Sequence, residues 1–404
     1  MIRRRYPRFY KGLLKTALKL FASGNISNGK CIAEFEISFA QYIGSRFASV
    51  TCSGRNGLDL LLDAYNIQTG DEILIPAYTL KDLVYLIESK GIKPKLVDIE
   101  NDSFNLNPDL INKAITPKTK AILATHLFGL PCNIEKIVKI AKEHKLIVIE
   151  DCAHSLGSLY KNKKTGSFGD AGFFSFEIIK SINTFGGGMI STNDPVIYSA
   201  VKKKAQTYPF NNKELFKKIV FAYFEHFLIN SPVYLLLLRF FMYPLTAKLI
   251  SKTYLYLHKK TRLEYSAYTN LQALMGLAQL RNIDKNNEKR IFIAGELSKR
   301  LNMNVFPQKI GNEMKHNYYF YVAKLRTKLK IESVRNMLIK KGIDSGIKSE
   351  ITDNCAAAKE GNIFPSVQEV YEHSLQLPMY DDLDKYKIEN IAEAVNEICK
   401  QPYR

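Results

Sequence analysis

Short apolar runs alternate with stretches of helical periodicity between about residues 45 and 195. The apolar runs are rich in β-branched and aromatic residues: FASVTCS, EILIPA, KPKLVDI, KAILATHLFG, LIVIED, AGFFSFE and GMISTND. The helical stretches between them include GRNGLDLLLDAY, TLKDLVYLIESKG and IEKIVKIAKEHK. This alternation predicts an α/β fold with a doubly wound, mostly parallel sheet. Ligands of such sheets bind at the carboxyl ends of the strands.

Two further segments combine an apolar helical face with basic residues, which is typical of helices at a membrane surface. In residues 1–22 the predicted apolar face holds Tyr6, Phe9, Tyr10, Leu13, Leu14, Ala17 and Phe21, and the basic face holds Arg8, Lys11, Lys15 and Lys19. In residues 213–230 the predicted apolar face holds Phe216, Ile219, Val220, Tyr223, Phe224, Phe227 and Leu228. The apolar run at 232–250 is interrupted by Arg239 and Pro244, so we do not expect it to span a membrane.

The net charge of +19 is concentrated in the same parts of the chain. Residues 1–24 contain seven Arg or Lys and no acidic residue, and residues 200–262 contain twelve Arg or Lys against two Glu. Apolar faces that coincide with basic charge favour contact with an anionic membrane surface through residues 1–22 and 213–258. Packing of both segments on the protein body or at a dimer interface is the alternative. The apolar faces argue against nucleic acid as the partner.

The overall composition is that of a globular protein with room for two domains. The chain has 404 residues, of which 46% are hydrophobic and 24% charged. Its six cysteines show no spacing typical of a zinc site, so no metal site is predicted and a reduced, cytoplasmic protein is expected. The N-terminus lacks the short uninterrupted apolar core of a cleavable signal peptide.

Three groups of residues at predicted strand ends carry candidate chemistry. Ser53, Gly54 and Arg55 lie where a strand turns into a helix, and such a turn offers backbone N–H groups to a phosphate. Asp151 closes LIVIED, where it holds a protonated ring nitrogen or caps the next helix. Lys180 follows an apolar run, where lysine either extends its ammonium to solvent or reacts. The glycines at 186–188 let backbone approach a ligand closely. Phosphate cradle, carboxylate and lysine together are what pyridoxal 5′-phosphate (PLP) requires.

These residues belong to a succession of motifs that resembles the DegT/DnrJ/EryC1/StrS family of sugar aminotransferases. The succession runs from about Gly29 to Asp194 and resumes near Tyr268; it includes FEISFAQYIGSRFASVTCSG, TGDEILIPAYT, VIEDCAHSLGSLYKNKKTGSFGDAGFFSFEIIK, TNLQALMGLAQL and LPMY. The resemblance implies a fold-type-I enzyme that depends on PLP. We therefore expect a basic N-terminal helix and linker at 1–28, a large cofactor-binding domain at 29–280, a helical insertion at 200–262, and a small C-terminal α+β domain at 281–404.

The resemblance also implies a role for each candidate residue. Lys180 would bind the cofactor covalently and then move the proton between cofactor and substrate carbons, and Asp151 would pair with the pyridine nitrogen. The cofactor phosphate would be bound by Ser175 and by the turn of Ser53, Gly54 and Arg55. His154 would lie near the cofactor hydroxyl, in place of the usual glutamine; a core histidine is the alternative. Some relatives with histidine at the lysine position are dehydratases, so Lys180 favours amino transfer.

Several positions depart from the family pattern. Leu80 stands where an aromatic ring often covers the cofactor, so a branched aliphatic side chain would cover it instead. Tyr265 and Ala267 fill places of the Asn and Arg that usually reach the partner subunit's cofactor. The loop SEITDNCAAA at 349–358 forms part of the predicted pocket but differs from typical members.

The expected function is amino transfer from glutamate to a nucleotide-linked or lipid-linked keto-sugar by a homodimer, at the cytoplasmic membrane surface. A soluble nucleotide-sugar aminotransferase is one alternative. A non-catalytic scaffold that retained the cofactor is another alternative. It is supported by Leu80, Tyr265 and Ala267 and opposed by the intact Lys180, Asp151 and Ser175.

Overall fold

The computed structural model describes residues 1–6, 9–10, 12–230, 265–358 and 364–400. The predictions for Arg8, Lys11 and the apolar run at 232–250 lie outside these residues. The helices are α1 Leu13–Ala22, α2 Cys31–Ile43, α3 Gly54–Ala64, α4 Lys81–Ser89, α5 Ile111–Ala114, α6 Ile134–Glu143, α7 Pro195–Ala205, α8 Asn212–Asn230, α9 Asn270–Leu280, α10 Ile283–Ser298, α11 Ile331–Lys340, α12 Pro365–His373 and α13 Lys385–Ile398.

A seven-stranded sheet in the order β1-β10-β9-β6-β5-β2-β4 forms the centre of the larger unit. Its strands are β1 Phe47–Thr51, β2 Glu72–Pro76, β4 Lys93–Val97, β5 Thr119–Thr125, β6 Ile147–Asp151, β9 Ala171–Ser175 and β10 Gly188–Thr192. Strand β10 runs antiparallel to both of its neighbours, and the pairs from β9 to β4 are parallel. The predicted α/β fold with a mostly parallel sheet is thus confirmed.

Helices cover both faces of this sheet because successive strand side chains point to opposite sides. On β2, Ile73 and Ile75 belong to the core layer that contains Leu61 of α3, whereas Leu74 belongs to the opposite layer with Ile137 of α6. These side chains are all at most 1% exposed. Burial of each contributes about 1.5–3 kcal/mol, so near-continuous apolar strands such as EILIP are selected by two-sided burial.

A smaller unit follows α9 and has its own core, as expected for a C-terminal α+β domain. Its antiparallel sheet has the order β11-β13-β16-β14, with strands β11 Val305–Pro307, β13 Tyr321–Leu325, β14 Gly346–Ile347 and β16 Ser374–Leu377. Helices α10, α11 and α13 contribute Leu297, Leu338 and Ile391 to its core. Two short pairings complete the fold: β12 Met314–Lys315 joins β7 Leu159–Tyr160 and β8 Lys163–Lys164, and β15 Asp353–Asn354 joins β3 Tyr78–Thr79.

The N-terminal segment differs from the predicted amphipathic helix. The helix begins only at Leu13, and a parallel bridge joins Ile2 to Ile343 in the smaller unit. Leu13 is buried, but Phe21 is 72% exposed. The predicted face was wrong because its first members precede the helix and do not share its periodicity.

Helix α8 packs only part of its predicted apolar face against the protein. Ile219 is buried with Leu215 and Ala222, in the same cluster as Leu13 and Phe185. The other side of α8 is exposed and carries Val220, Phe221, Phe224 and Phe227. The prediction of one continuous face was wrong, since α8 is apolar on two sides. No helix within the described residues combines the length and apolar character needed to cross a membrane.

Candidate active site

The carboxyl ends of the parallel strands open into one cavity of about 790 Å³ between the large and small units. All the predicted site residues line it: Ser53, Gly54, Arg55, Leu80, Asp151, His154, Ser175 and Lys180. Residues 349–353 from the loop of the small unit form part of its wall. A smaller adjoining cavity of about 60 Å³ shares Lys180 and Tyr319.

The turn between β1 and α3 forms an anion-binding corner of the cavity. Ser53 caps the helix, because its Oγ accepts a hydrogen bond from the Asn56 amide at 3.1 Å. The remaining first-turn amides have no acceptor within the helix, as at any helix N-terminus. A Cβ atom on Gly54 would lie 3.1 Å from Cβ of Ser175, so glycine lets the helix end approach β9 closely. The corner therefore offers backbone amides, the hydroxyl of Ser175 and the positive end of a helix dipole to a phosphate.

Asp151 ends β6 with its carboxyl group on the cavity wall. One carboxylate oxygen accepts a hydrogen bond from the Ala153 amide at 3.0 Å. Burial raises the pKa of Asp151, and the Ala153 amide and the charge of Lys180 oppose this effect. No helix begins between residues 152 and 170, all of which the structure describes. The helix-cap interpretation of Asp151 was therefore wrong, and its carboxyl group lies on the cavity wall, where it can pair with a cationic group of a ligand.

A buried pair that the sequence did not reveal lies directly behind Asp151. His126 Nε2 lies 2.9 Å from Oε2 of Glu150, and both side chains are inaccessible to solvent. The Glu150 carboxylate also accepts hydrogen bonds from the amides of Gly166, Phe168 and Gly169. His126 Nδ1 accepts from the Cys132 amide at 3.1 Å, so Nε2 carries the proton. Although Cys152 lies near this pair, these donors and acceptors are engaged in hydrogen bonds that hold the strand ends in place.

Lys180 lies in the loop between β9 and β10, and its amide donates to the Glu177 carbonyl at 2.8 Å. Its Nζ lies 4.9 Å from the centre of the Tyr319 ring. Burial lowers the pKa of Lys180 to about 8; the Asp151 charge raises it and the Arg5 charge lowers it further. A lysine with such a pKa is partly neutral near physiological pH, which nucleophilic attack requires.

The glycines at 186–188 are not among the residues that line the cavity. A Cβ atom on Gly187 would lie 2.2 Å from the Tyr268 ring, and one on Gly188 would lie 2.6 Å from the Phe174 carbonyl oxygen. These glycines therefore allow close packing of β10 against the protein.

His154 lies on the cavity wall with its ring stacked on Tyr319. The Phe128 amide donates to His154 Nδ1 at 3.4 Å. Burial lowers the pKa of His154 well below its usual value, and the charges of Lys180 and Arg5 add to this effect. The imidazole is therefore neutral at pH 7 and faces the cavity, although it is also packed as a core residue would be.

Of the three residues that depart from the family pattern, Leu80 lines the cavity, whereas Tyr265 and Ala267 do not. Leu80 lies on the cavity wall at the N-terminus of α4 and is 46% exposed. Tyr265 donates its hydroxyl to Asp59 of α3 at 3.1 Å, and neither residue lines the cavity. The Ala267 amide donates to the Pro209 carbonyl at 2.9 Å.

Two arginines on the cavity wall were not predicted as site residues. Arg4 and Arg5 were assigned to a basic membrane-surface helix, but they line the cavity beside residues 349–353. That assignment was wrong because residues 1–6 are held by the smaller unit. A cluster of basic residues does not indicate by itself which surface it meets.

The donor set fits PLP. The corner at Ser53 and Gly54 suits its phosphate, Asp151 suits its ring nitrogen, and Lys180 can form its covalent bond. The Thr125 hydroxyl lies on the same wall and has no hydrogen-bond partner among the described residues. The cavity volume is within the range of small-molecule sites.

Comparison with known proteins relates this chain to one family of aminotransferases. The sequence profile of the DegT/DnrJ/EryC1/StrS aminotransferase family matches residues 10–217 and 255–396. A GDP-perosamine synthase of Escherichia coli O157:H7 is 30% identical over 373 residues, which cover 92% of this chain and 91% of that protein. The spore coat polysaccharide biosynthesis protein SpsC of Bacillus subtilis is 26% identical over 412 residues, covering 98% and 96%.

The fold is shared with solved structures. The aminotransferase TlmJ from Streptoalloteichus hindustanus superposes with a TM-score of 0.78 at 19% identity, covering 98% of both chains.

Proposed function

Because the chain belongs to the DegT/DnrJ/EryC1/StrS aminotransferase family, whose enzymes depend on PLP, we propose that it transfers an amino group to the keto carbon of a nucleotide-linked sugar. The observation that carries this proposal is the convergence of Lys180, Asp151 and the Ser53–Ser175 corner on one cavity. Relatives named for GDP-perosamine and for an amino-deoxy dTDP-sugar support a nucleotide-linked acceptor.

Each side chain of the site has a separate role in the proposed reaction. When bound, PLP supplies an electron sink for a substrate carbanion. Asp151 keeps the ring nitrogen protonated, and the Ser53–Ser175 corner holds the phosphate. Lys180 releases its proton and takes it back near neutral pH, because its pKa is near 8. The neutral His154 accepts or donates one hydrogen bond beside the cofactor ring.

We infer that the amino donor is glutamate and that the enzyme acts as a homodimer. The donor is the one expected for the family. Tyr265 and Ala267 replace the residues that usually reach across the dimer, so this protein would bind the cofactor phosphate mainly through residues of its own chain.

The half-reaction with glutamate tests this function and separates it from a non-catalytic scaffold. The purified PLP-loaded protein is mixed with glutamate, its absorbance spectrum is followed, and 2-oxoglutarate is measured. Conversion of the bound cofactor to its amino form supports an aminotransferase. A cofactor spectrum that glutamate leaves unchanged, with no 2-oxoglutarate, would support the scaffold.

The exposed side of α8 supports a second proposal, which concerns where in the cell the enzyme lies. Val220, Phe221, Phe224 and Phe227 face away from the protein, and Lys217 and Lys218 lie on the same helix. Large apolar side chains beside lysines suit the interface of an anionic membrane. We propose that this side of α8 attaches the enzyme peripherally to the cytoplasmic membrane.

A further inference from the structure

The N-terminal segment is held beside the cavity by backbone contacts with the smaller unit. The Ile2 amide donates to the Gly342 carbonyl at 2.8 Å, and the Asp344 amide donates to the Ile2 carbonyl at 2.9 Å. The Met379 amide donates to the Arg4 carbonyl at 3.3 Å. These contacts place the next residue, Arg5, on the walls of both the large cavity and the small one beside Lys180.

Arg4 and Arg5 differ in how their charges are balanced. Arg4 Nη1 lies 2.6 Å from Oε2 of Glu350, whose other oxygen pairs with Arg335. Among the described residues, the Arg5 side chain donates to the carbonyl oxygen of Glu350, at 3.3 Å, and its guanidinium lies 5.1 Å from the centre of the Phe320 ring. It forms no ion pair with any described residue. The pKa of Arg5 is lowered by burial and then by the charge of Arg4, and the charges of Tyr319, Asp344 and Glu350 oppose this effect.

Arg5 has no carboxylate of the described residues within ion-pair distance, so a substrate carboxylate can supply its direct counter-charge. Guanidinium groups bind carboxylates through two parallel hydrogen bonds, and such charge-assisted bonds are strong. An amino acid that would react with the cofactor beside Lys180 carries its carboxylate on the same carbon as its amino group. In a nucleotide-linked sugar, the sugar ring separates the phosphates from most ring carbons. The location of Arg5 beside Lys180 therefore favours the donor.

We propose that Arg5 binds the carboxylate of the amino-acid donor, an inference that rests on the proposed aminotransferase function. The N-terminal segment then acts as part of the substrate site. Arg5 orients the donor so that its amino group meets the cofactor near Lys180, and it discriminates against amines that have no carboxylate.

The test compares Arg5→Ala, Arg5→Lys and the wild type in the glutamate half-reaction alone. Arg3→Ala is the matched control, because Arg3 carries the same charge in the same segment but lies 5.6 Å from the Tyr6 ring and outside the cavity walls. Loss of a charge-assisted pair predicts a rise of about 10- to 100-fold in the apparent Kd for glutamate in Arg5→Ala. We expect a smaller rise in Arg5→Lys and wild-type behaviour in Arg3→Ala.

A binding readout accompanies the kinetics. Calorimetric titration of each protein with glutarate, which cannot donate an amino group, measures carboxylate binding directly. We expect Arg5→Ala to bind glutarate about 10-fold more weakly or worse than the wild type. Circular dichroism and bound-PLP content verify that the variants are folded and loaded.

The outcomes separate this inference from the function on which it rests. A wild-type protein that does not react with glutamate contradicts the proposed function. If the wild type reacts with glutamate, and Arg5→Ala has the same Kd values as the wild type for glutamate and for glutarate, the inference alone is overturned. The inference is also overturned if Arg3→Ala loses as much affinity for glutamate as Arg5→Ala does. It is overturned as well if Arg5→Ala weakens only the second half-reaction, with the nucleotide-linked keto-sugar, because Arg5 would then bind the diphosphate.

Discussion

His154 of the large unit stacks on Tyr319 of the small unit, with ring centroids 4.4 Å apart and an interplanar angle of 18°. Tyr319 is in turn the residue whose ring lies against Lys180 Nζ. One aromatic side chain therefore contacts both His154 of the large unit and the amine of Lys180. The geometry of the site depends on how the units pack, as well as on the large sheet.

Lys180→Ala is expected to abolish amino transfer, because it removes the amine that bonds the cofactor and moves the proton. The protein should remain folded, since Lys180 forms no ion pair within the described residues. Borohydride reduction followed by mass spectrometry measures covalently attached cofactor, and a coupled assay measures turnover. Lys163→Ala, an exposed lysine outside the cavity walls, is the control. Normal turnover in Lys180→Ala would contradict the assigned role.

Asp151→Asn is expected to retain cofactor and lower kcat by at least about 100-fold, the scale for loss of a preorganised polar group. A neutral amide does not hold the ring nitrogen protonated. The control is Asp170→Asn, because the Asp170 carboxylate accepts a hydrogen bond from the Val148 amide and is not on the cavity wall. If Asp151→Asn lowered only the melting temperature, with unchanged turnover per folded molecule, Asp151 would be structural.

The pH dependence of Lys180 in the cofactor-free protein provides a test of the site's electrostatics. Only the neutral amine is nucleophilic, so the rate of Lys180 modification by an amine reagent should rise through a midpoint near pH 8. Removing the Asp151 charge in Asp151→Asn should lower this midpoint. Removing the Arg5 charge in Arg5→Ala should raise it. Peptide mass spectrometry measures the rate at each pH, and a midpoint near the ordinary lysine pKa of 10.5 would contradict the burial of Lys180.

Gly54→Ala is expected to weaken PLP binding, because the added Cβ would lie 3.1 Å from Cβ of Ser175 and 3.3 Å from the Phe174 carbonyl oxygen. The helix end must then move away from β9, which opens the anion-binding corner. Gly295→Ala is the control: no atom would lie within 4 Å of its new Cβ, and the change should stabilise α10 by about 0.5–1 kcal/mol. Fluorescence titration with PLP measures affinity; equal Kd values in the two variants would exclude this phosphate site.

Vesicle co-sedimentation tests the exposed side of α8. The wild type should pellet with anionic vesicles and stay bound at high salt, because burial of apolar side chains survives screening. A variant with Phe221, Phe224 and Phe227 changed to Ser should stay in solution. Phe292→Ser is the control, since this phenylalanine is 68% exposed on α10. A wild-type protein that does not pellet would assign the exposed side of α8 to a protein contact or to solvent.

The sequence alone determined the central sheet and much of the site. Two-sided burial forces near-continuous apolar strands, so EILIP and IVIED were recognisable as parallel strands without a structure. The strand ends then followed from topology, which brought Ser53, Asp151, Ser175 and Lys180 to one edge. The resemblance to a family supplied their roles, because residue types and chain order do not distinguish a helix cap from a partner of a ring nitrogen.

Only the tertiary structure decided which surfaces meet. Arg5, Lys180, Tyr319 and Glu350 are far apart in the chain, and no local pattern connects them, since their contact depends on how the small unit packs on the large one. Apolar periodicity likewise showed that α8 has large apolar side chains but not which of them a neighbour covers. Hydrophobic burial is non-directional. The sequence therefore specifies which side chains are buried, and the packed fold specifies which neighbours they contact.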